Sequence, residues 1–496
     1  MQIGAGHLQR CLTLADALAR RGVRSTFVCR LLPEQLADMI ERKGHGFIRL
    51  PRGADDFKGG DSPAHAAWLG ASQEQDARQT ADALAPSRFD WLVVDHYAVD
   101  ARWEAALRPF AKHILAIDDL ADRPHDCDLL LDQNHYADLR DRYTRLVPPG
   151  CRQLLGPHYA LLRPEFAGLA TQARQRNGKV NRVLVFFGGA DAGNYTTLAL
   201  QALDTLGRSD IAVDVVVGLM NPHRPDIEAL CAARANTRFF QQVEDMPRLM
   251  ADADIALGAG GGATWERCCL GLPTLAIAVA DNQRRSLNDL CRAGVVLSLS
   301  GEAGRDMRKQ LVAMLETVVS CEPLLRGMSQ RSAELVDGRG AERVAGAMLS
   351  ADASLRRAVE SDSELIYQWR NHPDVRSKSR QSAPLEYESH ARWYAQALRD
   401  PNRLLLLAES AGRPVAVVRF DVRAGCAEVS VYLAPTELAG GWGAQVLRQS
   451  AEVLHQHHPG VREIVAEILP DNLASRGAFT RAGYRETKVV FARSVP

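Results

Sequence analysis

From the start to about Gly156, amphipathic helical spacing alternates with short, almost wholly apolar runs at Ser25–Cys29, Trp91–Val94, Ile114–Ile117 and Leu129–Leu131. Apolar runs of this length between helices predict parallel strands covered on both faces. The first helix is expected over Leu8–Arg20, directly behind the turn Gly4-Ala5-Gly6-His7. After a polar stretch, Thr171–Lys179, the alternation restarts with Val183–Phe187, Ala212–Val217, Ile255–Leu257 and Thr274–Ala278, which predicts a second doubly wound unit. From Leu355 the order changes to strand, helix, then the strands Leu404–Glu409, Pro414–Asp421 and Glu428–Leu433, a glycine turn, a helix, a strand Glu463–Ile468 and a last helix and strand. The expected organisation is two α/β domains at 1–165 and 166–350, followed by an α+β domain at 351–496.

Composition narrows the function classes. A chain of 496 residues, 46% hydrophobic and 24% charged, buries real cores and is not disordered. Sixty Lys and Arg balance sixty Asp and Glu, so no global field draws the chain to nucleic acid or an anionic membrane, and an anionic ligand must be held locally. Ten cysteines, scattered except for Cys268-Cys269 and without zinc-like spacing, predict reduced cytoplasmic thiols and no metal. The N-terminal stretch has no apolar core of a signal peptide, and no run approaches the roughly 18 residues of a membrane span, so a soluble protein is expected.

Chemistry collects where strands end. Asp95-His96-Tyr97, Asp118-Asp119 and Asp132-Gln133-Asn134 each follow a predicted strand, at the edge where open α/β sheets bind ligands; capping of the next helix explains each cluster as well. Gly6 precedes His7 in the first turn of a helix, where the dipole favours a neutral, basic imidazole, although a capping or solvent-facing His has the same signature. Two glycine-rich loops, Gly188-Gly189 through Asn194 and Gly258 through Gly261, Gly262, Thr264 and Glu266, each join a strand to a helix and can converge on a diphosphate. Neither is a dinucleotide or Walker motif. Glu266 can accept from a ribose diol or complement a helix start; Asn282 and Gln283 can meet sugar hydroxyls, or Asp281 or Asn282 can serve as an N-cap.

The segments GAGHLQRCLTLADAL, VVDHYAVD, IDDLADRPHDCDLLLDQN, GPHYALLRPEF, FFGGADAGN and GAGGGATWERCCLGLPTLAIAVADNQ together resemble the UDP-2,4-diacetamido-2,4,6-trideoxy-β-L-altropyranose hydrolases of pseudaminic acid biosynthesis, over about Gln2 to Ser350. The resemblance implies a glycosyltransferase-B fold of two Rossmann-like domains and hydrolysis of a UDP-sugar. Its GxGHxxRC motif is matched by Gly4, Gly6, His7, Arg10 and Cys11, which implies His7 as general base. It further implies that the Gly188–Asn194 and Gly258–Glu266 loops hold UDP, with Asp95, Tyr97, Asn282 and Gln283 near the sugar. Family members carry a strand before this turn; here the sequence opens at the turn, so the first sheet is expected to lack that strand.

In the third unit, the strand Glu428–Leu433 with Val431 and Leu433, the turn Gly441-Trp442-Gly443-Ala444, and Asn472, Ser475 and Phe479 resemble the coenzyme A site of GCN5-related N-acetyltransferases. The resemblance implies acetyl-CoA as co-substrate, its pyrophosphate on the glycine turn and its thioester beside a splayed strand. Leu438 stands where that family has Arg or Gln, and Thr480 where it often has an acidic Tyr. Joined, the two resemblances imply a bifunctional enzyme that acetylates the 4-amine of a UDP-4-amino-4,6-dideoxy-sugar and then hydrolyses the product, with small molecules as partners and no nucleic acid or membrane. The alternatives are a UDP-sugar glycosyltransferase and an acetyltransferase carrying a non-catalytic UDP-sugar-binding domain.

Overall fold

Strands apolar along their whole length cannot leave a face in water, and the folded chain covers them on both sides. A computed structural model describes residues 5–53, 63–172, 176–219, 221–241, 243, 245–299, 305–350, 354–379, 382–410, 412–438, 442–470 and 472–487. The chain divides into two units, Met1–Ala341 and Glu342–Pro496.

In the first unit, β1 (Thr26–Cys29) pairs in parallel with β2 (Gly46–Arg49). A second parallel sheet runs in order through β3 (Phe89–Val94), β4 (Ala111–Ile117), β5 (Leu129–Asp132) and β6 (Arg152–Leu155). No strand among the described residues bridges the two, so β1 and β3 each keep one unpaired edge. The third sheet contains β7 (Arg182–Phe186), β8 (Ala212–Val217), β9 (Thr237–Gln241), β10 (Ile255–Ala259), β11 (Thr274–Ile277) and β12 (Val296–Ser298), in the order β12-β11-β10-β7-β8-β9. All its pairs are parallel, and the order reverses between β7 and β10, the doubly wound arrangement whose switch point opens a crevice at the strands' carboxyl ends. Val183, Val185, Val213, Val215, Ile255 and Leu257 fill one face of this sheet, and Leu184, Ala256 and Ala276 the other.

The second unit is a five-stranded sheet of β13 (Ser354–Arg357), β14 (Arg403–Ser410), β15 (Arg413–Arg423), β16 (Cys426–Leu433) and β17 (Glu463–Val465), antiparallel except for the parallel β16–β17 pair. Leu404 and Leu406 face the helices Trp442–His457 and Leu473–Arg481, while Leu405 and Leu407 face Ser363–Asn371 and Tyr387–Arg399. That two-sided burial is why β14 reads as one continuous apolar run. No helix among the described residues is long and apolar enough to cross a membrane.

A buried polar network ties the carboxyl end of β4 to the next strand. His125 Nδ1 lies 2.8 Å from Glu104 Oε1, Arg123 pairs with Asp118 at 2.8 Å, and the Tyr143 hydroxyl donates to both Asp118 and Asp132. Burial opposes a charged His125, but the Asp118 and Glu104 carboxylates outweigh it and raise its pKa to about 9. A folded pKa above the unfolded value of about 6.5 means the stabilisation is complete below that value and is lost as pH rises through the folded one. The excess stability of the wild type over His125→Gln, read from urea midpoints, is therefore expected to shrink between about pH 6 and about pH 10.

Candidate functional site

The helix Ala5–Ala19 begins before the predicted Leu8, so His7 lies in its first turn with Arg10 and Cys11 three and four residues on, along one face. Asp95, directly after β3, receives all three. Its Oδ1 accepts from His7 Nδ1 at 2.6 Å and from an Arg10 terminal nitrogen at 2.6 Å; its Oδ2 accepts from Arg10 Nε at 2.7 Å and Cys11 Sγ at 3.2 Å. Burial alone would raise the Asp95 carboxyl, but the Arg10 and His7 charges and hydrogen bonds hold it well below the usual carboxylate range. An anionic carboxylate only accepts, so His7 Nδ1 is the donor in this bond and Nε2 takes no part in it. Arg10 also reaches Asp119 at 3.6 Å. The His7 ring stands edge-on to Tyr97, centroids 4.9 Å apart at 84°, and Tyr97 continues into His65 and Trp68, at 5.7 and 6.1 Å. Burial pushes the Tyr97 phenol up, keeping it neutral. The structure thus brings Gly6, His7, Asp95 and Tyr97 together. His65 and Trp68 were invisible to motif reasoning because they sit on a short irregular turn.

The two glycine loops leave the carboxyl ends of the adjacent strands β7 and β10, on either side of the switch point. Gly188 has φ +95°, and a Cβ on Gly218, directly after β8, would lie 2.2 Å from the Gly189 carbonyl oxygen, so glycine is needed at 188 and where the turn after β8 meets this loop. Asn194 occupies the N-cap position of the helix Tyr195–Leu206, yet the cap is supplied by buried Asp191, which accepts from the Tyr195 and Thr196 amides and the Thr196 hydroxyl. Asn194 Oδ1 is buried with no hydrogen-bond partner among the described residues. In the second loop, beside Gly261 and Gly262, Thr264 is buried and its hydroxyl accepts from Arg267 at 3.0 Å. Glu266 is half-buried; burial raises its carboxyl, and Arg163 and Arg267 oppose that. Gln283 and Asn282 open the helix Asp281–Arg292 after β11, the next strand over. Ala280 holds that N-cap, so the capping alternative for Asp281 or Asn282 does not apply; Asn282 is exposed, and Gln283 accepts from the Val279 amide at 3.1 Å. Hydrogen bonds link this sheet to the loop after β5 of the second sheet: Trp265 to Asn134, the Ala137 amide to Asp289, and Arg285 to Asp138.

In the second unit, β16 pairs with β17 only at Cys426, Ala427 and Glu428, so its remaining stretch, with Val431 and Leu433, parts from β17. Gly441 lies outside the described residues. Gly443 lets two helices meet, since a Cβ there would lie 3.0 Å from Ala478 Cβ, and Ala444 is buried. Asn472 caps the helix Leu473–Arg481, accepting from the Ser475 amide at 3.1 Å, and Phe479 packs edge-on against Tyr484. Asn472, Ser475 and Phe479 therefore have structural work that their motif does not reveal. No cluster of three or more His, Cys, Asp or Glu able to hold a metal occurs among the described residues.

Residues 358–491 match the family model of the acetyltransferase (GNAT) domain. The chain is 21% identical over 511 residues to an uncharacterised protein of Methanocaldococcus jannaschii, covering 98% of this chain and 95% of that one. It is 26% identical over 294 residues to the UDP-2,4-diacetamido-2,4,6-trideoxy-beta-L-altropyranose hydrolase of Campylobacter jejuni, covering 59% of this chain and 93% of that enzyme. Among solved structures it is similar to MurG of Acinetobacter baumannii, with a TM-score of 0.48 and 13% identity over 70% of this chain and 96% of that one. The chain joins a part homologous to a UDP-sugar hydrolase to a GNAT acetyltransferase domain.

Proposed function

We propose that the chain catalyses two consecutive steps: transfer of acetyl from acetyl-CoA to the 4-amine of a UDP-4-amino-4,6-dideoxy-sugar, and hydrolysis of the resulting UDP-2,4-diacetamido-2,4,6-trideoxy-β-L-altropyranose to free sugar and UDP. Residues 1–165 and 166–350 are the two lobes of the hydrolase, and 351–496 the acetyltransferase. The observation that carries the reading is the His7–Asp95–Arg10 constellation, a histidine oriented through Nδ1 by a buried carboxylate, with its other ring nitrogen outside that bond.

His7 Nε2 takes a proton from water as the water oxygen attacks the anomeric carbon, and the bond to the UDP β-phosphate oxygen breaks. Asp95 holds the imidazole in place and stabilises the imidazolium that forms. Negative charge grows on the departing diphosphate, where the backbone N–H groups of the Gly188-Gly189 and Gly261-Gly262 loops stabilise it more than the ground state. Asn194 and Thr264 lie within those loops, Glu266 meets the ribose diol, and Asn282 and Gln283, with Tyr97 across the crevice, meet the sugar. In the acetyltransferase, the parted stretch of β16 offers backbone groups at Val431 and Leu433 to acetyl-CoA. The turn at Gly441, Gly443 and Ala444 faces its pyrophosphate.

Purified protein given acetyl-CoA and the UDP-4-amino-sugar, with coenzyme A and UDP followed separately, tests the reading. Coenzyme A release followed by UDP and free sugar is expected; UDP released only when a second sugar acceptor is added would replace hydrolysis by glycosyl transfer. His7→Ala is expected to slow UDP release by about 10²–10⁴-fold while leaving coenzyme A release unchanged. Asp95→Asn removes the anion that fixes the tautomer. A loss of roughly 10²-fold or more in kcat, with little change in KM, is expected in steady-state assays.

A further inference from the structure

Among the described residues, buried Arg267 has no carboxylate within ion-pair distance. Arg267 is 1% exposed, one turn into the helix Ala263–Cys269 behind the second glycine loop. One terminal nitrogen donates to the Ala259 carbonyl at 2.7 Å and to the Thr264 hydroxyl at 3.0 Å, while Nε has no hydrogen-bond partner, and no carboxylate among the described residues is within ion-pair distance. The comparably buried Arg10, Arg30 and Arg123 each pair with an aspartate, and Arg176 is met by five residues' backbone carbonyls, among them Ala253 and Met250. The guanidinium also has a defined place: a Cβ on Gly258 would lie 2.7 Å from its other terminal nitrogen and 2.7 Å from the Phe186 carbonyl. Gly258 and Phe186 are register partners in β10 and β7, so the charge sits in the floor of the switch-point crevice. Burial lowers its pKa only to about 10, which leaves it protonated at neutral pH.

A buried cation without an ion-pair partner is costly even with the Glu266 carboxyl acting on it at longer range, and an anion at the crevice would offset that cost. We propose that Arg267 is the positioning residue for a diphosphate: it turns the Ala259 carbonyl and Thr264 inward, away from the ligand, and supplies from beneath the loop the positive charge that a bound diphosphate neutralises. The proposal rests on the UDP reading of this crevice. It acts through the loop and through the field, since so buried a side chain is shielded from direct contact.

The test separates charge from architecture by comparing UDP with uridine, which lacks the diphosphate, in calorimetric titrations of the full chain. Wild type is expected to bind UDP at least about tenfold more tightly than uridine. Arg267→Gln should bring UDP to within about threefold of uridine and leave uridine binding unchanged, while Arg267→Lys, which keeps the charge, should retain most of the gap. Equal losses for both ligands in Arg267→Gln would make the residue merely structural and overturn the proposal, as would unchanged UDP binding. Should Arg267→Gln fail to fold, the wild type decides: inorganic pyrophosphate is expected to raise its melting temperature more than uridine does, and the reverse order overturns the proposal. A wild type that binds ADP but not UDP, with the same dependence on Arg267, would sink the UDP reading while leaving this inference standing.

Discussion

A carboxylate out of reach of water stays ionised only if cations and donors replace its hydration, and Asp95 depends on that replacement. Its side chain is 5% exposed, and its partners His7, Arg10 and Cys11 come from one face of one helix. The same contacts run in the other direction: the carboxylate fixes the His7 ring and neutralises Arg10, which is itself buried. Removing the anion would leave a buried guanidinium reaching only Asp119 at 3.6 Å and an imidazole free to turn. The docking of the first helix on β3 and the chemistry offered by His7 are thus a single electrostatic decision, and it is local, as a chain with no net charge requires.

Topology does the remaining positioning. Parallel strands deliver every following loop to the same edge of a sheet, so Asp95 in one half and the glycine loops in the other lie at carboxyl ends, and His7 reaches Asp95 through the hydrogen bond from its own helix. In the third sheet the order reversal between β7 and β10 holds the two loops apart by one crevice. In the second unit the corresponding opening arises differently, because β17 stops at Val465 while β16 runs on to Leu433. A short partner strand, in place of a switch point, exposes the backbone there.

The central strands were legible because burial on both faces demands unbroken apolar runs: β4, β5, β10 and β11 were all readable to within a few residues. The strands without a clear signal, β2 (GFIR), β6 (RQLL), β9 (TRFFQ) and β12 (VLS), all lie at sheet edges, where one side meets solvent and the apolar run is broken. The polar and glycine loops that follow the strands were legible as loops. What sequence could not show is which of several polar residues in a loop is consumed by capping: Asp191 caps and Asn194 does not, Ala280 holds the cap next to Asp281, and Asn472 is used by its own helix. Each outcome turns on a few degrees of backbone rotation, and composition carries no record of that.

The same limit explains why Arg267 escaped a motif reading. Within Trp265-Glu266-Arg267-Cys268-Cys269 the arginine looks like an ordinary charge in the last turn of a short helix, where solvent exposure is the default. Trp265, Cys268 and Cys269 lie in the apolar cluster beside it in so short a segment, and Gly258 leaves room for the guanidinium where a Cβ would meet it. The glycine in the strand and the charge in the helix are therefore one feature, divided between two elements nine residues apart. If the crevice binds an anion as proposed, its field would come from a charge screened little by salt, in contrast to surface lysines, whose attraction fades within a Debye length of about 8–10 Å.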